Sequence, residues 1–156
     1  MSRLHDKTSV DFPIAEAQSR LEVFLTSLRG PDGVARMRLR VPITGMPDSF
    51  GLALEREVRI EARRRRDELR QADIVEIVWQ PEGATVLPRF EGTLFVTHDG
   101  SPKRADIELA GEYTPPFGAA GQVFDAAIGQ QIARTTAREF LLDLKRAIER
   151  PSTSSG

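Results

Sequence analysis

The sequence predicts an α+β fold: a curved antiparallel sheet of about six to seven strands wrapped around a long C-terminal helix. Three observations predict it. Runs from "VARMRLRVPI" to "ADIELAGEY" alternate apolar and charged residues with period two. A proline pair, Pro115 and Pro116, ends the last run, and apolar residues then recur at helical spacing as far as Arg150. The one other helical stretch, near the start, is too short to cover such a sheet alone.

The elements follow in order. "KTSVDFPI" reads as a short strand with Val10 and Phe12 on one face, broken by Pro13. "IAEAQSRLEVFLTSL" reads as a helix, with Ile14, Ala17, Leu21, Phe24 or Leu25, and Leu28 on its apolar face, and "RGPDG" ends it. In "VARMRLRVPI", Met37, Leu39 and Val41 share one face and Arg36, Arg38 and Arg40 the other. In "LALEREVRIEARRRR", Leu54, Val58, Ile60 and Ala62 oppose Glu55, Glu57, Arg59 and Glu61. The arginine strand and the glutamate-bearing strand are expected to be neighbours, because opposite charges pair across strands. "DIVEIVWQ" groups Val75, Ile77 and Trp79. "RFEGTLFVTH" groups Phe90, Gly92, Leu94 and Val96, and "ADIELAGEY" groups Ile107, Leu109, Gly111 and Tyr113. One face of the sheet is wet and the other needs a cover. The long helix supplies it: Phe124, Ile128, Ile132, Thr136, Phe140, Leu144 and Ile148 step by four. From Ala119 to Arg150 it would run about 45 Å. Gly129 interrupts it at a cost of about 1 kcal/mol.

The 156 residues suit one domain, expected over 1–150, with "PSTSSG" at 151–156 as a disordered tail. A net charge of −1 gives no field for nucleic acid or an anionic membrane. The absence of cysteine removes disulfides, zinc–thiolate sites and thiol nucleophiles. Neither a signal core nor a membrane-spanning window is visible, so a cytoplasmic location is expected. No P-loop, dinucleotide fingerprint or clustered metal ligands occur, so neither cofactor nor metal is expected. His5 and His98 read as surface residues.

From "FEGTLFV" through "ADIELAGEYTPPFGAAGQVFDAAIGQQIARTTAREFLLDLKRAIE" the chain resembles bacterial members of the START-like superfamily, also called SRPBCC. The residues that carry the resemblance are Gly111, Tyr113, Pro115, Pro116, Gly121, Asp125, Gly129, Phe140, Leu141 and Leu144. The superfamily includes polyketide cyclases and lipid-transfer domains. Its helix-grip fold usually has two short helices after the first strand and seven strands; here there is room for one helix, and six strands are counted. The resemblance implies a cavity between sheet and long helix holding an apolar ligand, without fixing a reaction.

Several residues carry two readings each. Arg56 has inward parity. It is an anchor for a ligand carboxylate or phosphate, a strand end reaching solvent, or the mark of a register bulge. Tyr113 either presents its hydroxyl to a ligand or bonds it to backbone. Trp79 lines the cavity or fills the core. Phe90, Leu94, Ile128, Ile132 and Thr136 complete the expected lining. "TGMPDSFG", with Met46 and Phe50, is a candidate mouth loop or a plain loop. "RRRR" from Arg63 reads as a solvated hairpin end. Phe95 breaks the charged face, as a dimer contact or a stray exposed residue. Asp125 reads as a favourable charge near a helix start.

The expected function is binding of a lipid, an isoprenoid or quinone, or a polyketide-like molecule in the cavity, by a monomer or weak homodimer. A cyclase- or dehydratase-like enzyme is the alternative, and lacks an inward carboxylate or histidine in mid-strand. A macromolecular interaction protein is a further one, favoured by an exposed apolar patch around Phe95 or Met46.

Overall fold

The computed structural model describes residues 2–42, 53–69, 71–81, 89–114 and 126–150, without the side chains of 2, 39–42, 53–56, 81, 126–129, 131 and 132. The elements are β1 (Ser2–Val10), α1 (Ile14–Ser27), β2 (Ala35–Pro42), β3 (Ala53–Asp67), β4 (Ala72–Pro81), β5 (Arg89–His98), β6 (Ala105–Thr114) and α2 (Ala126–Glu149). The strands form one antiparallel six-stranded sheet in the order β1-β6-β5-β4-β3-β2. Five strands meander, and β1 joins at the far edge beside β6. Both edge strands, β1 and β2, touch α2. The sheet therefore curls around the helix. No helix of the described residues is long and apolar enough to cross a membrane.

The first strand differs from its sequence expectation. It starts at Ser2 and stops at Val10, pairing with β6 from Ser2↔Tyr113 to Val10↔Ala105. The alternation was hidden because Asp6 and Thr8 occupy its inner face between Leu4 and Val10. Asp6 is matched there by Arg138 of α2, 3.4 Å away. Phe12 lies beyond the strand, with the Arg20 guanidinium 4.0 Å above its ring.

α1 starts directly after Pro13, whose carbonyl accepts from Ala17 N at 2.8 Å. It buries Ala17 and Leu21. Arg20 donates to Ile148 O at 2.9 Å, and Gln18 to Asp73 O at 3.2 Å, tying α1 to the end of α2 and to β4. A tight turn then leads into β2, with Gly30 N donating to Val34 O and Gly33 at φ 79°.

α2 buries Ala133, Thr136, Ala137, Phe140, Leu141, Leu144 and Ile148 against the sheet. Each large apolar side chain so buried contributes roughly 1.5–3 kcal/mol. The expected start at Ala119 and the mid-turn Gly121 and Asp125 lie outside the described residues, as does the tail at 151–156. Along its second half α2 also serves the open edge of β1. Arg138 donates to Lys7 O at 2.9 Å and Lys145 to Ser9 O, while Glu149 accepts from Asp11 N at 3.3 Å. Edge carbonyls that would otherwise invite another strand are thus occupied.

The outer face is charged, as the alternation predicts. Arg38 stands opposite Glu57 and Arg40 opposite Glu55 in the ladder. Arg65 pairs with Glu76, and Ser9 donates to Asp106 at 2.6 Å. The arginine run lies within β3 as a solvated end. Arg64 reaches Glu22 and Asp73, and Arg66 reaches Asp73. Two sequence expectations fail here. Phe95 is on the outer face but only 7% exposed, beside a similarly covered Ile74 at 3%. Ala62, expected to be core, is exposed, because β3 extends past the end of β2.

Candidate functional site

The region enclosed by the sheet and α2 is built from one lateral row of the ladder. Ser2 faces Tyr113, Tyr113 faces Phe90, Phe90 faces Trp79, and Trp79 faces Ile60. Inward parity turns the side chains of Tyr113, Phe90, Trp79 and Ile60 toward the helix, and Tyr113, Phe90 and Trp79 are each at most 2% exposed. Trp79 stacks on Phe90 with ring centroids 4.3 Å apart, and Phe140 of α2 tilts against Trp79 at 5.1 Å.

The row is set by a pair of glycines. Gly92 faces Gly111 across β5 and β6. A Cβ on Gly92 would lie 2.7 Å from Phe90 Cζ, and one on Gly111 2.8 Å from the same atom. The Phe90 ring therefore lies across both glycines, on space that any side chain there would take. Leu94 sits farther along β5, between Val75 and Leu109, and is fully buried.

The polar groups of this interior are few among the described residues. Thr136 of α2 is fully buried and Thr8 nearly so. Carboxyls with displaced pKa values lie at the margins instead. Arg64 beside Asp73 holds its carboxyl below the usual range. At Glu108 burial pushes the carboxyl up, but hydrogen bonds from Thr97 and His5 outweigh it and the net shift is downward. His5 itself is exposed, its Nε2 2.8 Å from Glu108 Oε1, and His98 is exposed as expected.

No protein-family model matches the sequence, and no curated protein does. Solved structures do resemble it. The Zhui aromatase/cyclase from Streptomyces sp. R1128 superposes with a TM-score of 0.53 over 94% of this chain and 91% of that one, at 13% identity. A START superfamily protein from Mycobacterium smegmatis gives 0.51 over 94% and 97%, at 12% identity. The di-domain ARO/CYC BexL from the BE-7585A biosynthetic pathway gives 0.51 at 20% identity, over 96% of this chain and 47% of that one. The chain has the helix-grip fold of the START-like superfamily.

Within this helix-grip frame, α1 is the single helix between β1 and β2, where two were the pattern. The sequence-predicted residues fall into two groups. Trp79, Phe90, Leu94, Tyr113 and Thr136 come together inside the grip. Arg56 stands opposite Leu39 in the β2–β3 ladder, beyond the Val58↔Pro81 pair that ends the described β3–β4 ladder. Its side chain, and those of Ile128 and Ile132 in α2, lie outside the described residues, as do Met46 and Phe50 altogether. Sequence reasoning placed Phe140 in the apolar stripe of the helix without assigning it to the site. It also missed the role of Gly92 and Gly111. The available signal was two glycines at inward positions of adjacent strands.

Proposed function

We propose that this protein binds an apolar or amphipathic small molecule, a lipid, isoprenoid, quinone or polyketide-like compound, between the sheet and α2. One observation carries the reading. A lateral row of buried aromatic side chains, Trp79, Phe90 and Tyr113, faces the helix, with Phe140 of α2 against Trp79. Apolar burial of roughly 25 cal/mol per Å² would supply the affinity, and a few polar groups would orient the ligand. Tyr113 and Thr136 are the hydroxyls for that role, and Arg56 the proposed anchor for a carboxylate or phosphate. Ile128 and Ile132 would extend the lining, with Met46 and Phe50 at its mouth.

Native mass spectrometry of freshly purified protein, followed by solvent extraction, tests this. A discrete adduct of a few hundred daltons is the expected result, and Arg56→Ala should weaken its retention if the ligand is anionic. A clean apo mass with no uptake of hydrophobic probe dye overturns the reading.

A second reading is a cyclase- or dehydratase-like reaction in the same interior. Two of the similar structures are an aromatase/cyclase and a di-domain ARO/CYC, and this favours it. Tyr113 is a described interior group able to donate a proton to a substrate carbonyl, and Asp6, paired with Arg138, is a carboxylate on the inner face of mid-β1 that the strand pattern did not show. Turnover of a linear β-polyketone surrogate, lost in Tyr113→Phe, would support it.

A further inference from the structure

The seam between β1 and α2 is fastened along only part of its length. In an antiparallel strand the N–H and C=O of one residue point to the same side, and successive residues alternate. The carbonyls of Lys7 and Ser9 point away from β6 and accept from Arg138 and Lys145 of α2. Arg3 and His5 have the same outward direction, and no described residue of α2 bonds their backbone. A groove of about 470 Å³ lies there instead, between Arg3–Asp6 of β1 and Arg134, Thr135, Arg138 and Glu139 of α2. Its charges balance. Arg3, Arg134 and Arg138 are matched by Asp6, Glu139 and the Glu112 that faces Arg3 across the ladder, and His5 is held by Glu108. The groove therefore selects no ionic ligand.

The floor of the groove is Leu4, which is also core: it is 6% exposed and belongs to the same buried cluster as Trp79 and Phe90. The next two positions across the ladder from Leu4 are Gly111 and Gly92, and the Phe90 ring lies over both. In that row Leu4 alone stands between the groove and the aromatic rings. On the helix side the side chains at this level are small. Ala133, Thr136 and Ala137 are buried here, and Phe140, Leu141 and Leu144 follow farther along. The first fastening beside the groove is Arg138, which donates to Lys7 O and pairs with Asp6 at 3.4 Å. Both side chains of that pair are partly exposed, and ion pairs so open to water hold weakly. Parting β1 from α2 at this point breaks no rung of the β1–β6 ladder.

We propose that an apolar molecule enters and leaves the interior sideways, through the seam between β1 and α2. Leu4 is the door and the Asp6–Arg138 pair the latch that limits how often it opens. Rotation of one side chain and loss of one weak ion pair suffice, so the opening is local and the sheet stays intact. A neutral passenger suits a groove whose charges cancel. This route presupposes the binding function proposed above and adds the path by which that site fills.

The chain has no cysteine, so a single introduced thiol reports its own exposure. Leu4→Cys should react with N-ethylmaleimide about tenfold or more faster than Val10→Cys, a position buried farther along the same strand. The Leu4 amide, directed at β6, should stay protected from hydrogen exchange in the wild type, which separates opening of the seam from fraying of the strand. Stopped-flow uptake of the neutral dye N-phenyl-1-naphthylamine follows the passage itself. Arg138→Met should speed entry and exit alike, by about threefold, with the equilibrium affinity kept. A polyethylene-glycol maleimide on Arg134→Cys, standing over the groove, should slow both. Arg134 is exposed, so this second variant tests the route should circular dichroism show Arg138→Met unfolded. A dye that never binds overturns the binding function and the route with it. A dye that binds at rates indifferent to Arg138 and to the adduct overturns the route alone, as does a Leu4→Cys thiol no more reactive than that of Val10→Cys.

Discussion

The Trp79 indole lies on the Phe90 ring, planes 23° apart, and Phe90 in turn lies across the backbone of Gly92 and Gly111. Sheet, first ring and second ring are stacked in layers, with Phe140 of the helix closing over them. Removing Phe90 therefore removes the layer between backbone and indole. Phe90→Ala should cost about 3–5 kcal/mol in urea unfolding. The emission of Trp79, the only tryptophan, should shift to the red as water reaches it.

Gly111→Ala tests the close approach beneath that ring. The added methyl would meet Glu91 O first, Gly92 Cα second and Phe90 Cζ third. Overpacking of this kind costs typically 1–3 kcal/mol. Because the nearest obstacle is backbone, combining it with Phe90→Leu should recover little of the loss. A full recovery in thermal unfolding would show the ring, not the ladder, to be the obstacle.

Glu108 gives a pH dependence of definite sign. Its folded pKa lies below the unfolded value of about 4.3. Its stabilisation is therefore complete above that value and is lost as pH falls through the folded one. Asp73, held low by Arg64, acts in the same direction from its own unfolded value of about 3.9. Urea midpoints measured between pH 6 and pH 3 should fall. Glu108→Gln should begin lower at pH 6 and converge on the wild type at pH 3.

Arg138 and Lys145 make the open edge of β1 depend on the helix. A hydrogen bond from a charged donor is worth about 1.5–3 kcal/mol when buried. These donors are half-exposed, so Arg138→Met should cost about 1 kcal/mol. Hydrogen exchange should rise in β1 more than in β4, which is paired on both sides. Equal change in both strands would refute a local role.

Period-two patterning made five strands legible, and the partnership of β2 with β3 followed from arginine facing glutamate. β1 was truncated because Asp6 and Thr8 mimic solvent-facing residues. Their inward position makes sense only once Arg138 of a helix over 130 residues away is beside Asp6. Phe95 misled in the opposite direction: parity gives the face of a residue, not whether neighbouring side chains cover that face. The site was legible as a set of inward aromatics. Its layering was not, since the meeting of Gly92 with Gly111 depends on register, and register is a property of two strands at once.

The placement of β1 sets an order of assembly. Its strand partner among the described residues is β6, and their residues His5 and Glu108 are 103 positions apart. The helix that occupies its other edge comes later still. During synthesis β1 therefore leaves the ribosome long before either neighbour exists, while β2 to β6 can zip as successive hairpins. Closure of the grip has to wait for β6 and α2. A chaperone that shields β1 meanwhile should raise the folded yield more than one acting on the central hairpins.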